Sequence, residues 1–274
     1  MSQTILITGA SSGIGRATAS HFAERGWNVV ATMRNPEDGA GLVADNVWVT
    51  RLDVLDEASI RAAVEGAEAR FGSIDALLNN AGYGAYGALE ATPMEVIRRQ
   101  FDVNVLGLVV TTKAVLPVMR AAKRGVIVNI SSVGGRMSYP FGALYHGSKW
   151  AVEGLSEALH FELIPLGIRV KVVEPGGVAT DFAGRSFVFT NDPALAEYQP
   201  MVQAITAAMQ SGSSASGQQS PQEVAEVIWE AVHDETTQIR FVSGEGAKEL
   251  LAKRYSFEQD EAFVGGMRKR FGLE

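Results

Sequence analysis

The 274-residue chain has no cysteine. Disulfides, thiolate nucleophiles and cysteine-bound metals are excluded together. Its four histidines, His21, His146, His160 and His233, show no metal-ligand spacing and read as packed or solvated residues. Positive charge is in short supply. The net charge of −7 argues against an electrostatic grip on nucleic acid. Long apolar runs are missing too. The stretch VLGLVV, residues 105–110, stops at Thr111, Thr112 and Lys113, so no membrane span is expected. The chain opens on QTILITGA, which reads as a strand rather than a basic-then-apolar leader. A cytoplasmic location is the resulting expectation.

What is present is an alternation of short apolar runs with helical patterns. Residues 4–8, 27–33, 47–54, 74–82, 125–132, 168–176 and 237–244 read as strands. Helical patterns fill 15–25, DEASIRAAVEGAEARFG, 94–120 and 143–164, and another follows Pro221. Strands separated by helices imply a parallel sheet with helices on both faces. The strands lack period-two alternation, as expected when both faces are buried. The fold class is therefore α/β: a doubly wound sheet of about seven parallel strands in a single domain, residues 1–274. Residues 178–220 break the pattern with scattered aromatics and the run SGSSASGQQS. An insertion of this length is a functional lid or a surface loop. Its place after a strand's carboxyl end favours the lid, since ligands bind there in open parallel sheets. The tail, 245–274, is expected to cover either the pocket or the sheet edge.

Two motifs carry chemistry. TGASSGIG, residues 8–15, follows the first strand and opens the first helix. Gly9, Gly13 and Gly15 let the backbone turn tightly and approach a pyrophosphate, which then sits on the helix N-terminus. The spacing is GxxxGxG rather than the usual GxGxxG. In YHGSK, Tyr145 and Lys149 stand four apart and share a helix face. A fixed positive charge below the ring favours phenolate and lowers the tyrosine pKa from its usual value of about 10. Proton transfer near neutral pH then becomes feasible.

Six motifs occur in order: TGASSGIG, NNAG (79–82), FDVNV (101–105), NISS (129–132), YHGSK and PGGVATDF (175–182). Together they resemble the short-chain dehydrogenase/reductases, in the branch marked by TGxxxGxG and YxxxK. The resemblance covers about residues 3–244 and implies a Rossmann-type fold and hydride transfer with a nicotinamide cofactor. It makes Tyr145 the general acid/base on the substrate oxygen and Ser132 the donor that stabilises that oxygen's charge. Ser131 competes for the serine role, and the spacing from Tyr145 favours Ser132. The resemblance gives Lys149 the ribose hydroxyls as well, and Asn104 a water that links Lys149 to solvent. Gly9, Ser11, Ser12, Gly13, Ile14 and Gly15 would hold the pyrophosphate. Asp53 and Val54 would contact adenine, although Asp53 equally suits a helix N-cap. Asn80, Ala81 and Gly82 would line the adenosine side. Pro175, Gly176, Val178 and Thr180 would clasp the nicotinamide amide.

An NAD site normally carries an acid at the end of its second strand. From Gly26 to Pro36 there is none, and the family's acidic position falls on Met33. Arg34 follows, and a guanidinium there suits the 2′-phosphate of NADP(H), with Ser12 adding a hydroxyl. NADP(H) is therefore expected over NAD(H). Tyr83, Tyr86, Met137, Phe141, Phe182, Phe187, Phe189 and Tyr198 are candidates for an apolar substrate pocket. The wording around ATMRNPE and YHGSK looks like the branch with hydroxysteroid and retinol dehydrogenases, implying a hydrophobic alcohol or carbonyl substrate. Family members pair through helices near 94–120 and 143–164, so a homodimer or homotetramer is expected. A non-catalytic NADP(H)-binding redox sensor and a nucleotide-sugar epimerase or dehydratase are the other readings. The intact Ser–Tyr–Lys set speaks against the first, and the glycine spacing against the second.

Overall fold

The computed structural model describes residues 2–181, 184, 186–210, 218–257 and 260–270. The strands are β1 Thr4–Ile7, β2 Asn28–Met33, β3 Val47–Arg51, β4 Ala76–Asn79, β5 Gly84–Gly87, β6 Gly125–Ile130, β7 Ile168–Pro175, β8 Phe187–Thr190 and β9 Arg240–Ser243. The helices are α1 Gly13–Glu24, α2 Glu57–Phe71, α3 Met94–Phe101, α4 Gly107–Ala122, α5 Ala143–Leu163, α6 Gln199–Gln210, α7 Pro221–His233, α8 Glu245–Tyr255 and α9 Asp260–Arg270.

Seven strands form one parallel sheet in the order β3-β2-β1-β4-β6-β7-β9. This is a Rossmann-type doubly wound arrangement. Neighbouring residues of each strand face opposite layers. Ile5 and Ile7 pack with Phe22 of α1 and Ile228 of α7 on one side. Leu6, between them, packs with Ile60 of α2 and Val115 of α4 on the other. Both layers are buried, which is why the strands read as unbroken apolar runs. Strand order reverses between β1 and β4, which opens a crevice at their carboxyl ends.

Local chemistry sets the helix limits. Asp56 caps α2 by accepting from Ala58 and Ser59 N–H, and left-handed Gly72 ends it. Ser220 and Glu223 close a capping box around α7, with Pro221 in its first turn.

Three features depart from the sequence reading. The single helix expected over 94–120 is broken by a π turn, Asp102–Leu106. Such turns commonly mark functional positions. Secondly, β5 and β8 form a second, two-stranded parallel sheet from segments a hundred residues apart in sequence. Part of the 178–220 insertion is therefore built as β8 and α6. Thirdly, Met94–Ala122 includes an 18-residue stretch of mean hydropathy 1.6, the length and composition of a membrane span. Its Thr111, Val115 and Met119 are nevertheless buried, and Val115 and Met119 join the sheet's second core layer. The tail chooses the site side of the molecule: Ala247 and Leu251 of α8 pack on Val133 and Met137.

Candidate active site

The glycine loop joins β1 to α1 in a conformation its sequence demands. Gly9 and Gly13 have φ of +70° and +53°, a region that costs other residues energy. A Cβ on Gly15 would stand 2.3 Å from the Gly9 carbonyl oxygen. Ser12, at the N-cap of α1, makes no side-chain cap hydrogen bond. The first-turn N–H groups and the Ser12 hydroxyl are thus free of the usual cap and suited to an anion. Ser11 and Ile14 flank this turn. Asn80, just after β4, donates to the Thr8 and Gly9 carbonyls at 2.9 and 3.0 Å. The Thr8 hydroxyl accepts from Asn80 and Ala81 N–H at 3.0 and 3.1 Å. Asn80 is therefore a brace for the loop, and Thr8 is a support that the glycine pattern alone did not reveal.

The adenosine end is more open. Met33 is buried, while Arg34 is exposed. Arg34 has no hydrogen bond or ion pair among the described residues, so its guanidinium is available. Arg16, which sequence reasoning passed over, reaches from α1 to the Ser11 and Asp38 carbonyls, both at 3.4 Å. Asp53 does not cap α2; that is Asp56. The Asp53 carboxylate instead accepts from Leu55 N–H at 3.0 Å in a local turn. Val54 packs against Gly107, where a Cβ would come within 2.7 Å of it.

The PGGVAT segment returns to the glycine loop. A Cβ on Gly13 would meet Thr180 Cγ2 at 3.2 Å. Gln219 fixes this segment: it accepts from Ala179 N–H at 2.8 Å, donates to the Gly177 carbonyl at 3.0 Å, and pairs with Val178. Its buried amide bonds the Ser243 carbonyl at 2.7 Å. Gln219 had no sequence signal, since it sits at the end of the low-complexity run. Gly176 lies under α8, with a Cβ only 2.9 Å from Ala247. A cleft of about 460 Å³ opens beside the loop, lined by Gly13, Arg16, Thr180 and Pro221.

Ser132, Tyr145 and Lys149 come together at the carboxyl end of β6. Ser132 N-caps a short turn, its Oγ accepting Gly134 N–H at 3.0 Å and directed at the Pro175 carbonyl at 3.5 Å. Ser131 turns elsewhere: its buried Oγ has no partner among the described residues. The Lys149 ammonium lies 5.9 Å from the Tyr145 ring centroid and donates to the Ile130 carbonyl at 2.8 Å.

The titration picture differs from the sequence expectation. Burial pushes the Tyr145 phenol up, and the nearby Ser132 hydroxyl opposes that. Lys149 is not what governs the phenol in the protein alone. Burial disfavours the lysine's own charge and lowers it to about 8, against the attraction of Glu153.

Asn104 sits in the π turn and is buried. Its amide is committed: Oδ1 accepts Tyr83 N–H at 3.0 Å, and Nδ2 donates to the Tyr83 carbonyl and Ser148 Oγ at 2.8 and 3.1 Å. A Cβ on Gly82 would meet Asn104 Oδ1 at 3.2 Å. Gln100 and Ser148 complete this clamp, with Gln100 bonding the Tyr83 carbonyl at 3.0 Å.

An aromatic column covers Tyr145. Tyr86 of β5 stacks on it at 5.4 Å, and Phe187 of β8 stacks on Tyr86 at 5.1 Å. Phe189 continues at 6.5 Å from Phe187 and meets Phe141 edge-on at 6.1 Å. Phe141 holds a left-handed φ of 61° while its carbonyl accepts Gly87 N–H at 2.8 Å. The other pocket candidates lie apart. The Tyr83 phenol is directed at the Val96 carbonyl of α3, 3.5 Å away. Met137 is buried in the α8 cluster, with little surface to offer a ligand. Tyr198 bonds Glu90 at 3.1 Å. Phe182 lies outside the described residues.

Behind Lys149, Glu174 of β7 is buried against Glu153 of α5. Burial and Glu153 push Glu174 up to about 7 from 4.5, against the Arg136 hydrogen bond at 2.9 Å. The fold therefore holds a proton that the unfolded chain releases, and this contribution is fully present below about 4.5 and lost as pH rises through about 7. Glu174→Gln is expected to gain about 1–3 kcal/mol relative to wild type between pH 4 and pH 8. Denaturant midpoints at both pH values measure it. A constant difference between the two proteins would contradict this.

The comparisons with known proteins agree with this geometry. The family model "short chain dehydrogenase" matches residues 3–188. An uncharacterized oxidoreductase of Schizosaccharomyces pombe is 39% identical over 247 residues, covering 88% of this chain and all of that one. The 3-ketodihydrosphingosine reductase of Bacteroides thetaiotaomicron is 47% identical over 180 residues, 66% of this chain and 65% of its own. Human retinol dehydrogenase 8 is 38% identical over 193 residues, 67% of this chain and 61% of its own. Among solved structures, a short-chain dehydrogenase from Streptomyces avermitilis aligns with TM-score 0.82 at 34% identity, covering 100% of this chain and 97% of that one. ElxO with NADP bound aligns at 0.73 and 26%, covering 88% and 98%. A Burkholderia phymatum relative in complex with NAD aligns at 0.75 and 26%, covering 88% of each chain.

Proposed function

The chain belongs to the short-chain dehydrogenase family of oxidoreductases, and from that premise we propose that it moves a hydride between NADP(H) and a hydrophobic alcohol or ketone. The observation that carries this reading is the convergence of Ser132, at the carboxyl end of β6, with Tyr145 and Lys149, which share one face of α5 with the ammonium 5.9 Å from the phenol ring. The dinucleotide fits the residues present: a glycine loop with no room for a Cβ at Gly15, an uncapped helix start, and exposed Arg34, without a partner among the described residues, beyond buried Met33.

When bound, the nicotinamide supplies or accepts the hydride. The chain's residues do the rest. Tyr145 gives its phenolic proton to the carbonyl oxygen in reduction and takes it back in oxidation. Ser132 Oγ hydrogen-bonds that oxygen and stabilises its developing charge. Lys149 binds the ribose hydroxyls and presents positive charge to the phenolate. Gly9, Ser11, Ser12, Gly13, Ile14 and Gly15 receive the pyrophosphate. Asp53, Val54, Ala81 and Gly82 border the adenosine, and Pro175, Gly176, Val178 and Thr180 the nicotinamide. Both Asn104 Nδ2 hydrogens are committed to the Tyr83 carbonyl and Ser148 Oγ, so Asn104 serves first to hold Tyr83 and the π turn in place.

Arg34 supports NADP(H) over NAD(H). Relatives of this fold bind either dinucleotide, so the side chain decides. Arg34→Ser is expected to weaken NADPH about 10–100-fold, the worth of a charge-assisted contact, and to leave NADH unchanged. Titration of the protein with each dinucleotide tests this. Equal losses for both would contradict the assignment.

The column of Tyr86, Phe187, Phe189 and Phe141 supports an apolar substrate reaching Tyr145 past the β5–β8 sheet. Retinol and 3-ketodihydrosphingosine, in the names of two relatives, point the same way. Exposed Leu106, Trp150, Phe161 and Ile164, on and beside α4 and α5, suit a homodimer or homotetramer. We place the protein in the cytoplasm, in keeping with its lack of cysteine.

A further inference from the structure

Lys149 is buried one helical turn before a buried charge cluster that the reaction itself does not require. Glu153 follows Lys149 by one helical turn. Glu174 lies on β7, immediately before Pro175. Arg136, four residues after Ser132, donates to Glu174 at 2.9 Å. Arg240 of β9 donates to Glu153 at 2.9 Å, lies 3.7 Å from Glu174, and reaches exposed Glu157 at 2.6 Å. Tyr255 of α8 stacks under the Arg136 guanidinium at 5.1 Å. On the remaining side Lys149 meets Tyr145, which carries Tyr86, Tyr139 and His146 around it.

Packing presses this cluster together. A Cβ on Gly135 would meet Ser131 Oγ at 2.6 Å, Glu153 Cγ at 3.0 Å and the Lys149 carbonyl at 3.1 Å. One oxygen of each carboxyl, Glu153 Oε1 and Glu174 Oε2, is buried without a hydrogen bond among the described residues. So is Ser131 Oγ. Buried, half-satisfied carboxyls cost stability, and such arrangements concentrate where charge has a task. A carboxylate oxygen without a hydrogen-bond donor keeps its field, which acts strongly through a poorly polarisable interior.

We propose that Glu153 is a positioning residue for Lys149: its buried carboxylate holds the lysine as an ammonium ion on the Ile130 carbonyl. Glu174 shares the cluster and is held by Arg136, while Arg240 fixes the Glu153 carboxylate in place. The four segments bearing Ser132, Lys149, Pro175 and β9 are thereby tied to one charge balance. This assignment rests on Lys149 serving the site described above, and its test is independent of catalysis.

The test follows Lys149 in the free full-length protein by NMR with ¹³Cε-labelled lysine, its resonance identified by loss in Lys149→Met. In Glu153→Gln the Lys149 titration midpoint is expected to fall by about one pH unit or more, through loss of a nearby opposite charge. In Glu174→Gln, an equally buried and isosteric change at a carboxyl that faces Arg136 at 2.9 Å and Arg240 at 3.7 Å instead of the lysine, it is expected to stay within about 0.3 unit of wild type. A shift of equal size in both variants would assign the effect to repacking and overturn the proposal. An unmoved Lys149 in Glu153→Gln would overturn it too. Neither cofactor nor substrate is needed, so an absence of reductase activity would count against the oxidoreductase reading alone.

Discussion

Tyr145→Phe is expected to lose about 10²–10⁴-fold in turnover, the usual worth of a positioned general acid, while NADPH binds as in wild type. The variant removes one oxygen and leaves the ring. That ring is held between Lys149 at 5.9 Å and Tyr86 at 5.4 Å, so the stack survives. What disappears is the phenolic hydroxyl and its proton. Water cannot replace it easily, since burial already disfavours charge on the phenol. Steady-state turnover beside a dinucleotide titration measures both quantities. Turnover within about threefold of wild type would remove Tyr145 from the chemistry.

Gly15→Ala is expected to remove dinucleotide binding by at least about 100-fold and to destabilise the fold by about 1–3 kcal/mol. The added methyl would stand 2.3 Å from the Gly9 carbonyl oxygen and 2.6 Å from Asn80 Nδ2. The first is backbone and cannot rotate away. Asn80 is bound to Thr8 and Gly9 at 2.9 and 3.0 Å, so its retreat breaks the brace of the loop. The loop must therefore open, and α1 must move from the position that receives a pyrophosphate. Gly246→Ala, where a Cβ meets nothing within 4 Å, is the matched control and is expected to bind normally. Thermal unfolding and dinucleotide titration of the two variants separate stability from binding. Normal binding by Gly15→Ala would contradict the close approach.

The seven-stranded sheet was legible because burial on both faces leaves its mark on every residue of a strand such as TILI. The glycine loop and YHGSK were legible because their chemistry depends on local spacing. The second sheet was not. Its strands, GAYG and FVFT, are four residues each, and only their pairing across the chain identifies them. The π turn was hidden for a related reason. DVNVL continues the helical pattern, and the extra residue is set by the Asn104 clamp on Tyr83. Gln219 lay in a polar run that gave no hint of burial. Nothing in the sequence marks Glu174, yet its side chain is 1% exposed. Tertiary neighbours decide these positions, and one chain read in isolation does not display them. The phenol's titration was misjudged because Lys149 was weighed as a free charge, without the burial that weakens it.

The most direct test of hydride transfer is an isotope measurement. Wild-type protein would be incubated with NADPH deuterated at C4 and a panel of hydrophobic ketones and aldehydes, and the products analysed by mass spectrometry. The account predicts deuterium on the new carbinol carbon and one NADPH consumed per alcohol formed. Tightly bound NADPH with no deuterated product from any member of the panel would contradict it and favour a dinucleotide sensor.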